Sequence, residues 1–538
     1  MVNSTGHSSI TMAAVCALFL AQPACVYAIS PQARCEALST TPPPTADDIP
    51  ARITEAAAIE DTAGGDHCRI RGYLAPQIGF EIWLPTRNWN HKLIEFGCGG
   101  FCGSTNAVES CPLTLGYACI ATDSGHQGTM FDAAWAHQNW QAKLDWGYRA
   151  PHLVAVFGKV MVARYFGARP TASYFLGASN GGRQALIETQ RFPSDFAGVV
   201  ALAPPVDIAQ TFLTWAWSIQ ASHDANGKAL LSDTELKLLT RHAIHQCGSD
   251  GVDDQIVANP IHCNFDPADL LCGTGSHEHC LTAAQVAAAR KIYRGPVDES
   301  GTPLTLGGPL PGSEFVDGAR KLSGWRKMFI GNDDQEAPFA SPLLLLVSDG
   351  LCHLFLLSCA TDTATLSTFD FARNYRSLRD LEPLYDAGNP DLRAFRDNGG
   401  KLIIVQGLSD PIVSPLTVID YYQAVERAMG GRQATEAFVR LFLLPGVEHG
   451  GGSGADVIDL ISAIDSWVAG RPPEKLIAAR IKDSFSEPWQ SSKRDFQLPV
   501  DRAWLQFTRP VYPYPTRVRY RGKGDVNDAE SFAPIRGP

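Results

Sequence analysis

The feature that most constrains this chain is the stretch FLGASNGGRQAL, residues Phe175 to Leu186. An apolar run enters it, an amphipathic run leaves it, and one serine stands between glycines. Gly177-Ala178-Ser179-Asn180-Gly181 has the form G-x-S-x-G. In such a segment the glycines allow a sharp strand-to-helix turn and close backbone approach, which exposes the serine hydroxyl. A turn of that kind needs a buried strand before it and a helix after it, and so demands a layered α/β architecture. The pentapeptide alone decides little, because a chain with 48 glycines produces such patterns easily by accident.

The flanking sequence supplies the layers. From about Asp66 to Gly125, YLAPQIGFEIWLP, KLIEFGCGG and GYACIATDSGH read as strands closed by turn residues. GYRAPHLVAVFGKVMVARYFG has helical spacing, ASYFLG is a short strand leading into Ser179, GRQALIETQRF is a helix, and FAGVVALAPP is a buried strand stopped by prolines. Strands alternating with helices indicate a mostly parallel sheet. The alternation breaks after about Asp207 and resumes near Gly399 with the strand KLIIVQG, the helix VIDYYQAVERAMG and the strand FVRLFLLPG. The expected organisation is a leader over 1–28, a first core part over 29–207, an inserted lid over 208–395 and a second core part over 396–538. That second part ends in an irregular wrapping segment around RPVYPYPTRVRYRGKGD.

Charge and cysteine usage narrow the setting. A net charge of -11 with no basic stripe argues against a nucleic-acid partner. The run ITMAAVCALFLAQPACVYA, ending in Val26-Tyr27-Ala28, suits a cleaved secretory signal better than a membrane span, although no Lys or Arg precedes it. Its removal takes Cys16 and Cys25 and leaves twelve of the fourteen cysteines, an even number that fits disulfides in a secreted or periplasmic protein. No Cys-x-x-Cys pair argues for a metal site instead, and Cys98 and Cys102 are more widely spaced. No membrane partner is expected, and the oligomeric state is left open.

A serine nucleophile needs a base, and the base needs an orienting carboxylate. KLIIVQG is followed by Ser409-Asp410, and FVRLFLLPG by Glu448-His449, so candidate acid and base both stand after parallel strands. An aspartate after a strand is usually a turn residue and a lone histidine usually structural. The order Ser179, Asp410, His449 is nevertheless that of an α/β-hydrolase. An oxyanion hole needs two backbone N–H groups. Asn180 supplies one, and the loop IEFGCGGFCG supplies the other, with Gly100 first and Gly99 next.

These residues resemble the tannase and feruloyl esterase family of α/β-hydrolases. The likeness runs over most of the chain after about Ser39 and is carried by GCGGFCG, GYACIATDSGH, GASNGGRQAL, CNFDPADLLC, CLTAAQVAAARKIYRGP, AFRDNGGKLIIVQGLSDP and RPVYPYP. The resemblance implies an α/β-hydrolase core with a large inserted lid. It further implies hydrolysis of aryl esters (gallates, hydroxycinnamates or terephthalate monoesters), with Ser179 as nucleophile, Asp410 as orienter and His449 as base. It also implies disulfides Cys247–Cys263 and Cys272–Cys280 within the lid. Cys35–Cys68 and Cys352–Cys359 are further candidates, and the partners of Cys98, Cys102, Cys111 and Cys119 stay open.

The chain departs from the family at two cysteine pairs. The cysteines that flank the nucleophile and the base in the family are Ala178 and Gly450 here, lost together. At the C-terminus Tyr512 replaces another cysteine, whose partner near Pro534 is also missing. The resemblance further implies a structural calcium in CGSDGVDDQIVANPIHC, with Asp250 and Asp254 as carboxylate ligands and Val252 and Ile256 as carbonyl donors. Calcium takes six to eight oxygens, and such a loop can alternate side-chain and backbone donors. Gly248 and Ser249 stand where the family's first aspartate would be, and Asp253 is a candidate substitute. A solvated acidic turn is the plain alternative. No organic cofactor is expected. Trp325 and Phe329 are candidate aromatic walls for the acyl group, against the plain reading that they form the lid's own core. The rival functions are a non-catalytic aromatic-ligand-binding protein on a hydrolase scaffold, and a peptidase or acyltransferase.

Overall fold

The computed structural model describes residues 30–535 apart from 41, 62–63, 249–250, 253, 274–278, 316–323, 332–340, 356–365, 367–368, 486–495 and 499–500. The leader expected over 1–28 therefore lies outside the described residues.

Short runs, most of them apolar and rich in β-branched or aromatic residues, become the strands of one sheet. They are β1 (Ala51–Ile59), β2 (His67–Leu74), β3 (Ile78–Pro85), β4 (Lys92–Phe96), β5 (Ala118–Thr122), β6 (Ala172–Ala178), β7 (Gly198–Leu202), β8 (Lys401–Gly407) and β9 (Val439–Leu444). Their order is β1-β2-β3-β5-β4-β6-β7-β8-β9. β1, β2, β3 and β5 pair antiparallel, and every pairing from β5 through β4 to β9 is parallel.

The parallel strands are buried on both faces, which explains their unbroken apolar sequences. Alternate residues of β8 enter different cores. Leu402 and Ile404 join the cluster containing Ala185 and Leu186 of the helix Asn180–Arg191. Ile403 and Val405 join Ile461, Ile464 and Trp467 of the helix Leu460–Val468. The period of two along the strand thus welds helices to both sides.

Two readings of local structure are corrected, and one strand had gone unread. YLAPQIGFEIWLP is a hairpin rather than one strand: β2 ends at Leu74, β3 begins at Ile78, and Pro76 lies in the turn. β1, ARITEAAAI, has too many alanines to announce itself as a strand, yet pairs along β2. The C-terminal segment is not irregular. Leu505–Val511 pairs antiparallel with Leu476–Ile481, and Arg517–Tyr520 with Phe532–Ile535. Its prolines and alternating arginines conceal these short ribbons from a hydrophobic-pattern reading.

β7 and β8 are direct parallel neighbours, although the whole segment 203–400 separates them. That segment contributes helices, among them Ile208–Ala221, Asp233–Cys247, Ala283–Arg294 and Phe371–Arg379, and among its described residues no strand of the sheet. Ser232 and Glu235 form a capping box at the start of the second of these, and Thr282 and Gln285 at the start of the third. Phe212, Trp325 and Leu351 share one hydrophobic cluster with Phe175 of β6.

Five disulfides join described cysteines. Cys35–Cys68, Cys247–Cys263 and Cys272–Cys280 are as expected. Cys98–Cys102 and Cys111–Cys119 complete the pairings left open. Cys352 is also disulfide-bonded, whereas Cys359 lies outside the described residues. Among the described residues no helix is long and apolar enough to cross a membrane.

Candidate active site

Ser179 stands between β6 and the helix Asn180–Arg191 with φ 57° and ψ -125°, a conformation that L-residues rarely adopt. The turn closes only because its neighbours lack side chains. A Cβ on Gly177 would lie 2.2 Å from the Gly181 carbonyl oxygen, and one on Gly181 would lie 2.8 Å from the Gly97 carbonyl carbon. The Ser179 amide donates to Leu202 O at 2.9 Å, fastening the elbow to β7.

Two further strand ends converge on this serine. Asp410 follows β8 and is buried, and its Oδ1 accepts the amides of Ile412 at 2.8 Å and Val413 at 2.9 Å. Its Oδ2 lies 2.7 Å from His449 Nδ1 and accepts a longer bond of 3.3 Å from Gln406 Nε2. His449 sits in the turn between the short paired segments Val447–Glu448 and Gly451–Gly452. Its Nε2 is 2.9 Å from Ser179 Oγ. With Nδ1–H donated to Asp410, Nε2 is left as an acceptor for the serine hydroxyl. Burial pulls the His449 imidazole down, but the Asp410 carboxylate outweighs it and leaves the group above its ordinary value.

The geometry holds without a disulfide beside the serine and histidine. Gly450 has φ 86°, in the region that favours glycine, and nothing outside its chain neighbours lies within 4 Å of a Cβ built there.

Gly100 lies on the loop after β4 with φ 53°, and a Cβ on it would fall 2.3 Å from Met130 O. Cys98–Cys102 pinches this loop. Phe101 N–H donates to Met130 O and Cys102 N–H to Gly99 O, both at 2.9 Å. The elbow helix grips the same loop by side chains that the sequence reading missed. Asn180 Nδ2 donates to Cys98 O at 3.2 Å, and the Cys98 amide donates to Gln184 Oε1 at 3.1 Å. Gln184 Nε2 donates to Ser124 Oγ at 3.0 Å.

Arg183 is wholly buried one turn after the serine. Its guanidinium donates to Asn180 Oδ1 at 2.8 Å, Tyr385 O at 2.8 Å, Gly147 O at 3.0 Å and Trp146 O at 3.1 Å. It also lies over the Trp146 ring, 4.2 Å from the centroid. Burial pulls its pKa down to about 9, leaving it a cation at neutral pH. An arginine in an amphipathic helix normally reads as a surface residue, which is why pattern alone hid it.

Glu448, beside the histidine, is also buried. Its Oε2 accepts the Gly324 amide at 2.7 Å, and burial pushes the carboxyl well above its usual range. The next residue, Trp325, is fully buried and donates Nε1–H to Ser313 Oγ at 3.0 Å, and Phe329 is fully buried as well. Both aromatics pack in the hydrophobic core rather than lining the triad as walls.

The acidic loop lies elsewhere. Val252, Asp254 and Ile256 line a cavity of about 350 Å³ together with Leu443, Tyr512 and Tyr514, and no triad residue borders it. Asp254 Oδ2 is 3.4 Å from Arg509 Nη2, while Asp254 Oδ1 is buried without a hydrogen-bond partner among the described residues. Asp250 and Asp253 lie outside the described residues.

An elbow serine after β6, an acid after β8 and a histidine after β9, on a mostly parallel sheet wrapped by helices, define an α/β-hydrolase. A profile of the tannase and feruloyl esterase family matches residues 63–535. The chain belongs to that family and is a carboxylic ester hydrolase. It is 31% identical to mono(2-hydroxyethyl) terephthalate hydrolase of Piscinibacter sakaiensis, over 95% of this chain and 93% of that protein. It is also 31% identical to a probable feruloyl esterase of Arthroderma benhamiae, over 84% of this chain and 81% of that protein. The crystal structure of feruloyl esterase B from Aspergillus oryzae superposes with a TM-score of 0.77 at 24% identity, covering 94% of this chain and 100% of the other, and shows the same fold.

Proposed function

We propose that the protein is a secreted or periplasmic serine hydrolase of aryl esters, with hydroxycinnamates, gallates and related aromatic acid esters such as terephthalate monoesters as the substrate class. The observation that carries this reading is the continuous hydrogen-bonded series Ser179–His449–Asp410. Ser179 Oγ attacks the ester carbonyl carbon while His449 Nε2 takes the hydroxyl proton, and Asp410 steadies the imidazolium so formed. The amides of Gly100 and Asn180 stabilise the tetrahedral oxyanion, a contribution of about 3 kcal/mol per donor. Collapse expels the alcohol, which receives the proton from His449. Water, activated by the same histidine, then releases the acid and regenerates the serine.

The substrate class rests on family membership and on the names of the relatives. The segment 208–395 serves as the lid that shapes the acyl site in this reading. The setting outside the cytosol rests on the leader over 1–28 and on the disulfides.

A structural calcium forms part of the proposal. Asp254 Oδ1, buried and without a side-chain partner among the described residues, suits a hard cation, though Arg509 already engages the other oxygen. Asp250 and Asp254 would hold it with the carbonyls of Val252 and Ile256, and it would brace the lid rather than join the chemistry. Chelation is then expected to lower the melting temperature of wild-type protein, reversibly on adding calcium, but not that of Asp254→Asn.

The function is tested by steady-state hydrolysis of methyl ferulate, methyl gallate and mono(2-hydroxyethyl) terephthalate. Turnover of at least one with kcat/KM above about 10⁴ M⁻¹s⁻¹ is expected, the lower end of ordinary enzymes. Only trace turnover of all three, or faster cleavage of matched amides, would contradict it.

A further inference from the structure

A second group of ionisable side chains lies behind the elbow, away from the triad. Glu95 on β4 and Glu188 on the elbow helix are both fully buried, 0% and 1% exposed. Among the described residues none of their four carboxylate oxygens has a hydrogen-bond partner. Unpaired buried carboxylates are costly, and such groups normally find protons, waters or a cation.

Toward the surface the group continues with His152, of the helix Ala150–Phe166, and Asp195. His152, Glu188 and Asp195 each present a ligand atom within 4.8 Å of the others, a separation that one metal ion can span. His152 also has the outer partner that metal-binding histidines need. Its Nε2 is 3.0 Å from Asp47 Oδ2, a carboxylate that can accept Nε2–H when Nδ1 serves as the ligand. Asp195 is held for monodentate binding, with Oδ1 on Lys159 Nζ at 3.2 Å and Oδ2 turned toward His152 Nδ1 at 2.6 Å. The side chains of His152 and Asp195 are 17% and 10% exposed, which gives an ion a path from solvent.

The carboxyl groups of Asp47, Glu95, Glu188 and Asp195 gather around His152 and the ammonium of Lys159. Burial pushes both glutamates well above the ordinary carboxylate range, with repulsion from Glu188 adding to it at Glu95 and from Asp195 at both.

We infer that His152 Nδ1, Glu188 and Asp195 form a binding site for a divalent cation that accepts mixed nitrogen and oxygen ligands, of the zinc or manganese class, with Glu95 supplying further negative charge behind it. In the ion-free protein His152 carries the proton shared with Asp195, and binding releases that proton. The ion would clamp the helix that begins at the nucleophile against the helix Ala150–Phe166. It stands apart from the acidic loop at Asp254 both in sequence and in ligand chemistry.

The test uses full-length protein stripped with chelator and dialysed, then titrated separately with zinc and with manganese. One saturable site is expected in wild type, with a melting temperature raised on the order of 2 °C or more at saturation. Both effects should vanish in Glu188→Gln and in His152→Gln, and persist in Asp254→Asn. Two nearly isosteric substitutions on different helices guard against one of them misfolding. Absence of saturable binding of either ion to wild type below millimolar concentration would overturn the inference and leave Glu95 and Glu188 as protonated acids. Equal binding by wild type and both variants would overturn it as well.

Discussion

At the scale of single residues the site is a set of groups held in states that water would not favour. Ser179 is held at positive φ, Arg183 is a buried cation, and the half-buried His449 sits against a buried carboxylate. Arg183 is the sharpest case, because its planar fork matches carbonyls from two separate segments and the Asn180 side chain. Lysine keeps the charge but offers no fork. Arg183→Lys should therefore leave carbonyls among Trp146, Gly147 and Tyr385 unpaired, at about 1–3 kcal/mol for each orphaned group. Denaturant unfolding should show a loss of at least about 2 kcal/mol, and kcat should fall with it as Asn180 loses its anchor. An unchanged midpoint would deny the network its role.

The imidazole offers a test by pH. Protonation removes the acceptor that Ser179 needs, and the Asp410 carboxylate raises the pH at which protonation occurs. Below that pKa the base is lost, so kcat/KM should fall on the acid side with an apparent pKa above the ordinary histidine value of about 6.5. Asp410→Asn should cut kcat by about 10⁴, because it disturbs the imidazole tautomer. A far-ultraviolet spectrum and melting temperature near those of wild type would separate that loss from unfolding.

At the scale of elements, the loop proposed to hold the oxyanion depends on connections of different ranges. Cys98–Cys102 closes a tight ring about Gly99 and Gly100, while Asn180 and Gln184 reach the same loop from the elbow helix. Replacing both cysteines by serine should change KM little but lower kcat by about ten- to a hundredfold. The oxyanion forms only in the transition state, and a loosened donor costs less than a deleted one. Equal losses in kcat and binding would point to a general disturbance of the pocket instead.

Legibility followed the same division. Ser179, Asp410 and His449 could be read because each closes an apolar strand, and strand ends announce themselves by glycine, proline and a change of period. Gln184 and Arg183 could not be read, because most of their partners are backbone groups brought near by folding and carry no signal in sequence. Trp325 and Phe329 failed for the related reason that composition does not reveal which way a side chain faces. The hairpin hidden in YLAPQIGFEIWLP and the C-terminal ribbons were missed where proline interrupted the hydrophobic pattern.

At the scale of the whole molecule, the insertion between β7 and β8 has fused with the sheet it interrupts. Phe175 of β6 and Trp325 of the insertion belong to one core, and Glu448 beside His449 accepts the Gly324 amide. Those connections imply that the insertion and the sheet melt together, so one cooperative calorimetric transition is expected; two well-separated transitions would contradict it. The N-terminal helix Pro31–Thr40 is stapled to β2 by Cys35–Cys68 across a separation of 33 residues. The chain-entropy view gives roughly 4 kcal/mol as an upper value for such a loop.

The most direct test of the central claim is covalent labelling by a fluorophosphonate that mimics the tetrahedral intermediate, read by intact mass and peptide mapping. Wild-type protein should gain one adduct, mapped to Ser179, with loss of esterase activity in step. Ser179→Ala should gain none and lose activity on the order of a million-fold. An adduct on another residue, or an alanine variant that keeps more than a few per cent of wild-type kcat, would contradict the assignment of Ser179 as the nucleophile.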